Sequence, residues 1–465
     1  MSCSGESGYY QLGSSEDVDR NNVCDIIPSP QRKDAIDQEN GSNSSTETPA
    51  RNSKGLTILS TSIFIAGEMA GSGVLALPRA IADSGWIGLA LIVYFCINAG
   101  FGGTKLGECW SILEERYPEY RKPVRNPYAT IAYKAVGKWG SRLISGCIQF
   151  TLFGAGTVYL LLSSQILREL LEHLVPKIGF CIWFLVIAML LCPAMWLGTP
   201  KDFRIVGIGA LLTTAFACVL IFVQIVLDGF NKSVPAIHEV HGFDKFFLAF
   251  GTILFSFGGA STFPTIQNDM IRKEKFSVSI LIGFSVILIL YLPVAAAGYF
   301  VYGEAVDTNI VLTVTESTLI TVANVLLAVH LVLAFLIIIN PVCQELEEFF
   351  KVPHHFHWKR CLVRTGMICV MIFIGESIPR FGKILSLVGG STITLLTFVL
   401  PSYFYMRLCD QERQEDWPDR NIPFYIRVYL WELIIIGLVG GSASTYSAIL
   451  AIFGPHSFTK PCYLQ

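Results

Sequence analysis

Charge is scarce in this chain. Asp, Glu, Lys and Arg together make up 15% of its 465 residues, where a soluble domain carries about a quarter. With a mean hydropathy of +0.53, this excludes an ordinary water-soluble globule. Catalytic signatures are missing as well: there is no GxSxG, no HExxH and no P-loop. Without a P-loop the chain cannot be an ATP-driven pump on its own, so uphill movement of a solute would need an ion gradient or exchange. The 13 cysteines contain no CxxC pair and no zinc-ligand spacing. No metal or cofactor is therefore expected. Most of these cysteines lie in apolar segments, where a free Cys packs as a small apolar residue. Basic residues form no concentrated patch, which leaves nucleic-acid binding without support. Residues 1–54 are polar and lack the pattern of a cleaved signal peptide.

Long apolar runs are what the chain has instead. A membrane helix needs roughly 20 apolar residues in succession. Eleven segments qualify as spans: 56–82, 86–110, 142–170, 180–198, 204–227, 246–267, 278–301, 318–341, 362–378, 384–406 and 428–453. Lys and Arg set the orientation. With the N-terminus in the cytosol, the inner loops hold a run from Arg116 to Arg142, then Lys201, Arg272, Lys273, Lys275, Lys359, Arg407 and Arg420 among others. The outer connections are poor in basic residues. Eleven spans put the C-terminus outside, so residues 454–465 form a short extracytosolic tail. The sequon Asn231-Lys232-Ser233 falls in an outer loop, which makes Asn231 a glycosylation candidate. Cys181 and Cys462 also lie outside. A bridge between them is open, but free thiols are the expectation.

Residues 1–54 are rich in Ser, Asn, Asp, Glu and Gly, and they are expected to form a disordered cytosolic tail. Within it, Gly8-Tyr9-Tyr10-Gln11-Leu12 fits a tyrosine-based sorting pattern, with a chance match as the plainer reading. The second sequon, Asn43-Ser44-Ser45, lies in the same tail and should stay unmodified. The inner loop 111–141 contains a basic stretch of helical periodicity, Tyr128–Trp139, expected to lie on the inner surface.

The first span is interrupted. Glu68-Met69-Ala70-Gly71-Ser72-Gly73-Val74-Leu75-Ala76-Leu77-Pro78 places two glycines and a serine at mid-bilayer depth. Backbone freed there must face protein or a water-filled cavity, because lipid cannot satisfy it. The sixth span carries a second break, Phe255-Ser256-Phe257-Gly258-Gly259-Ala260-Ser261. Glycines are also frequent as packing faces in membrane helices, and Gly251, Gly437, Gly440 and Gly441 are read that way. Spans 1 and 6 are five apart, however, so two five-span halves beginning there have opposite orientation. Interrupted helices at equivalent places in inverted halves point to a transporter's binding site.

The second half of span 1 begins with N–H groups that favour an anion. Ala70, Gly71, Ser72, Gly73 and Val74 are the candidates for holding a carboxylate. The first half of span 6 ends in carbonyls, so Phe255, Ser256, Phe257 and Gly258 are the candidates for an ammonium. A ligand with both groups is an α-amino acid or a close relative. Ionisable residues in the bilayer are functional suspects. Glu68 is a candidate for taking up a coupling proton, against a structural bond to freed backbone. His330 in span 8 has an ordinary pKa suited to proton transfer, against a role as a buried hydrogen-bonded residue. Lys105 and Glu108 can pair or snorkel. Arg79 and Asp83 line an entrance or face water.

Three separated motifs resemble the amino acid/auxin permease family. They are Met69–Pro78 followed by Gly85-Trp86, then Phe255–Gly259 followed by Phe263-Pro264-Thr265-Ile266-Gln267, then Ala328-Val329-His330-Leu331-Val332 with Asn340-Pro341-Val342 and Glu345. The resemblance spans about 55–453. It implies an all-α membrane protein with a LeuT-like 5+5 inverted repeat plus an eleventh transmembrane helix, amino acid substrates, and usually proton coupling. Sodium-coupled members look like Asn-Ala-Ile-Met-Gly-Ser-Gly at the first break. The Asn aligns with Gly67 here, which weakens a sodium reading. The expected function is secondary active, proton-coupled amino acid transport, with an amino acid sensor of little net flux as the alternative. An acyltransferase using His330 lacks a second intramembrane His, and two occluding half-helices suit a closed site better than a channel. The plasma membrane is the expected location, with an endolysosomal membrane left open by the tail motif.

Overall fold

The computed structural model describes residues 55–122, 124–196, 203–232, 235–239, 241–353, 357–412, 417–418, 420–454 and 461–464. The tail expectations, including disorder over 1–54, the Tyr9 motif and the Asn43 sequon, lie outside them.

Each expected span contains helix. Among the described residues, seven helices are long and apolar enough to cross a bilayer unaided: Ile87–Arg116, Lys138–Leu171, Gly207–Asn231, Lys273–Ala305, Thr318–Phe349, Phe381–Cys409 and Phe424–Phe453. Span 1 is an eighth, made of Ile58–Met69 and Ser72–Ser84 with a bend of 58° between them. The other three are shorter or more polar. Span 4 is Phe180–Trp196, and span 9 is Trp358–Ser377, which carries Lys359, Arg360 and Arg364 in its first turns. Span 6 is split into Phe243–Ser256 and Phe263–Asn268. Large apolar side chains such as Leu190, Phe216, Leu281, Ile289 and Phe373 stay exposed along the outward helix faces. Lipid would cover them, which is why the chain tolerates them.

The two interrupted helices sit side by side at the centre. The second half of span 1 packs on the first half of span 6, with Gly73 against the Ser256 backbone. Close approach continues outward. A Cβ on Gly251 would lie 2.4 Å from the Ser386 carbonyl, and one on Gly440 would lie 2.3 Å from the Phe250 ring. Gly437 and Gly441 press on span 10 in the same way, so these four are packing glycines, as their sequence setting suggests.

Span 10 departs from the simple helix the sequence suggests. It widens into π-helix over Gly389–Ile393 and Leu395–Val399. The Thr394 hydroxyl donates to the Gly389 carbonyl, 2.7 Å, and a Cβ on Gly389 would meet the Gly251 carbonyl at 1.9 Å. Such bulges concentrate at functional sites, and this one borders the central cavity described below.

Two expectations are corrected. Cys181 and Cys462 are joined by a disulfide, with Cα atoms 5.7 Å apart. Free thiols were favoured because residues separated by 281 positions give no sign of meeting. The fold brings the C-terminal turn Cys462–Leu464 onto the ends of spans 4 and 9. Second, the basic stretch after span 2 lies only partly on the surface, with Tyr133 and Trp139 exposed and its other face packed inward. It forms the helix Pro127–Val136, whose Tyr128, Ile131 and Ala132 are buried. The Tyr128 hydroxyl donates to the Leu396 carbonyl of span 10, 2.6 Å. Lys105 and Glu108 do pair, at 2.9 Å, with the ammonium over the Tyr405 ring.

Candidate functional site

Met69 ends one helix and Ser72 starts the next. The linker backbone between them needs partners. The Ala70 N–H continues the helical pattern to the Ala66 carbonyl, 2.7 Å. The Gly71 N–H donates to the Tyr291 hydroxyl, 3.3 Å, and that hydroxyl donates in turn to the Met69 carbonyl, 2.7 Å. A Cβ on Gly71 would stand 3.2 Å from the Tyr159 hydroxyl and 3.3 Å from His330 Nε2. Spans 3, 7 and 8 thus enclose the break.

A cavity of about 40 Å³ lies between the two breaks. It has room for about three waters. Span 1 contributes Glu68, Met69, Ser72 and Gly73, and span 6 contributes Phe255 and Gly258 to Ser261. Span 3 adds Thr151, Leu152, Ala155 and Tyr159, span 8 adds Ile338, and the π-helical part of span 10 adds Ile393, Leu396 and Thr397. Glu68 and Tyr159 are the only ionisable side chains in this lining, and no basic side chain is among them. The Ser72 hydroxyl is buried beside the Tyr159 hydroxyl, and the Thr397 hydroxyl is buried in the same wall.

Of the residues singled out in the sequence, Glu68, Ser72, Gly73, Phe255 and Gly258 are therefore brought together on one cavity. Ala70, Gly71, Val74, Ser256 and Phe257 are buried beside it and do not border it. The Phe257 ring points away, against Phe284 and Tyr291. His330 is buried, faces the backbone of Ala70 and Ala210, and borders no cavity described here.

A second cavity of about 590 Å³ opens on the face that carries the basic loops. Arg125, Asn126 and Tyr128 line it, with Gln149, Asp269, Asn340, Gln344 and Glu345. Glu68 borders both cavities, together with Leu152, Ser261 and Ile338. On the opposite face, polar and aromatic contacts link the span ends. Arg79 pairs with Asp83 at 2.7 Å and donates to the Glu304 and Val306 carbonyls. His241 bonds Glu304 at 2.6 Å, and Trp86 stacks on His238 and meets the Tyr299 ring edge-on. Asn231 ends its helix in an exposed position, while Ser233 of its sequon lies outside the described residues.

Sequence reasoning missed Tyr159, Tyr291 and the span 10 contribution. A lone tyrosine in an apolar helix carries no spacing signal. The hydroxyl-rich stretch Ser391 to Thr397, beside Gly389-Gly390, was the available hint in span 10.

Comparison with known proteins agrees with this architecture. "Amino acid transporter AVT1D" of Arabidopsis thaliana is 24% identical over 390 residues, covering 82% of this chain and 67% of that protein. "Amino acid transporter AVT1J" of the same plant is 22% identical and covers 87% and 93%. Among solved structures, MhsT in complex with L-phenylalanine superposes with a TM-score of 0.54 at 11% identity, covering 85% of this chain and 99% of that one. The manganese transporter of Eremococcus coleocola gives 0.54 at 14% identity, covering 89% and 91%. These likenesses establish the LeuT-like fold, a 5+5 inverted repeat with an eleventh helix. The relatives and neighbours are transporters rather than enzymes. The model of the transmembrane amino acid transporter protein family matches residues 54–446, and the chain belongs to that family.

Proposed function

We propose that this protein is a secondary active, proton-coupled transporter of amino acids that works by alternating access around the cavity between its two broken helices. One observation carries the reading. The cavity lies against the start of one half-helix and the end of another, and its lining has no basic side chain. A substrate carboxylate must then be held by backbone N–H groups, which the helix start at Ser72 and Gly73 supplies. Gly71 and its neighbours Ala70 and Val74 shape that start. The substrate ammonium meets the carbonyl end of the first half of span 6, from Phe255 to Gly258. The apolar remainder of the wall accepts the side chain.

Proton coupling is supported by two features. A Cβ on Gly67 would come within 2.8 Å of the Gly207 carbonyl, which leaves no room for the Asn of sodium-coupled relatives. Glu68 borders both the central cavity and the vestibule, where it can exchange a proton with water and respond to substrate. His330 remains the second candidate. We place the basic face in the cytosol, so that the conformation is inward-open, with Asn231 glycosylated outside and the plasma membrane as host.

Uptake of labelled amino acids into proteoliposomes tests this. Accumulation driven by a proton gradient alone is expected. Accumulation that requires sodium overturns the coupling, and binding without flux under any gradient makes the protein a sensor.

A further inference from the structure

We propose that Tyr291 is the positioning residue that holds both halves of the substrate site in register. The proposal rests on the reading of the two breaks as an amino acid site, and it adds a residue on a span that supplies no wall of the cavity.

A break at mid-bilayer frees a carbonyl on one side and an N–H on the other, and lipid can satisfy neither. One side chain answers both. The Tyr291 hydroxyl donates to the Met69 carbonyl at 2.7 Å and accepts from the Gly71 N–H at 3.3 Å. Tyr291 is fully buried in the middle of span 7. Its ring also lies 6.3 Å, centroid to centroid, from that of Phe257, the residue that ends the first half of span 6. A single tyrosine thus touches both interruptions: its hydroxyl fixes the linker of span 1, and its ring braces the break of span 6.

The consequence for binding is geometric. With Gly71 held by Tyr291, its N–H is withheld from the cavity, and Ser72 and Gly73 are left facing it. The pitch of the linker decides where those two groups point. A hydrogen bond to a charged ligand is worth more than a neutral one, and it weakens steeply with misalignment. Loss of the hydroxyl should therefore appear as weaker substrate binding before it appears as instability.

The test is Tyr291→Phe in the full-length protein, which keeps the ring and removes the hydroxyl. Tyr429→Phe is the control, since it removes a bond of 2.6 Å to Asn98 far from either cavity. KM for the transported amino acid should rise about tenfold or more in Tyr291→Phe and stay near wild type in Tyr429→Phe. Tyr291→His, which retains a donor and an acceptor, should fall between. An unchanged KM in Tyr291→Phe overturns the proposal while leaving the transporter reading intact. Absence of both binding and flux in the wild type overturns the transporter reading itself. Should the variants fail to fold, hydrogen exchange on the substrate-free wild type decides. The Gly71 amide is expected to exchange slowly before any substrate is added, and rapid exchange there overturns the proposal.

Discussion

Gly73 and Ser256 meet where the two interrupted helices touch. A Cβ on Gly73 would lie 2.7 Å from both the Cα and the Oγ of Ser256. Backbone sits in the way, so no rotamer change relieves the clash. Gly73→Ala must push the two half-helices apart at the cavity they share. Uptake is expected to fall below detection, with surface labelling near wild type because the scaffold spans are untouched. Near-normal uptake would show that the breaks need not touch.

The neighbouring Gly71 makes a graded comparison. Its added Cβ would stand 3.2 Å from the Tyr159 hydroxyl and 3.3 Å from His330, both ends of side chains that can shift slightly. Gly71→Ala should retain partial transport. The branched Gly71→Val should abolish it while leaving surface expression near normal. Equal activity in the two variants would count against this crowding.

Much of this arrangement was legible in the sequence because backbone chemistry writes it there. Gly71-Ser72-Gly73 and Gly258-Gly259 mark breaks at mid-span, and five-span spacing gives their inverted relation. Side chains that complete the site left no such trace. Tyr291 acts through one hydroxyl on an otherwise apolar helix, and Tyr159 is one aromatic among many. The π-helix of span 10 packs Gly389 against the Gly251 carbonyl, a contact between distant segments. The Cys181–Cys462 bridge is non-local for the same reason. The helix Pro127–Val136 misled because Lys134 and the exposed Tyr133 sit opposite a buried face led by Tyr128.

The disulfide gives a stability prediction separate from transport. It ties the C-terminal turn to span 4 across 281 positions. Long loops gain most from such a link, roughly 2–4 kcal/mol in typical proteins. Cys181→Ser or Cys462→Ser should lower the midpoint of thermal unfolding by several degrees. Substrate KM should not move, because the bridge borders neither cavity. A shift in KM without loss of stability would assign the bridge a different role.

Arg364 tests the scaffold on the basic face. It is 1% exposed and donates to Glu347 Oε1 at 2.5 Å and to the Met195 carbonyl at 2.5 Å, joining spans 9, 8 and 4. Arg364→Met leaves the buried Glu347 with Arg360 as its remaining partner, at 3.2 Å. Removing one partner of a buried pair costs about 3–5 kcal/mol, so surface expression should drop sharply. Neutralising the survivor in Arg364→Met/Glu347→Gln should restore part of it. A double variant no better than the single one would show that the bond to Met195 dominates.

Glu68 is the sharpest test of coupling. It is the one carboxylate that borders both the central cavity and the vestibule, and no hydrogen bond ties it to the linker it precedes. A proton carrier must reach water on at least one side and feel the substrate site on the other, and Glu68 meets both conditions. His330 is 3% exposed and borders neither cavity, so a proton reaching it needs a route that this conformation does not provide. Glu68→Gln fixes the residue in a neutral, protonated-like form. The variant should therefore still exchange internal for external amino acid, since exchange requires no net proton movement. Proton-driven accumulation should be lost, and the dependence of uptake on external pH should flatten. His330→Asn should retain that dependence even if its rate falls. Exchange and accumulation lost together in Glu68→Gln would mark the residue as structural, and a flattened pH profile in His330→Asn alone would move the coupling proton to the histidine.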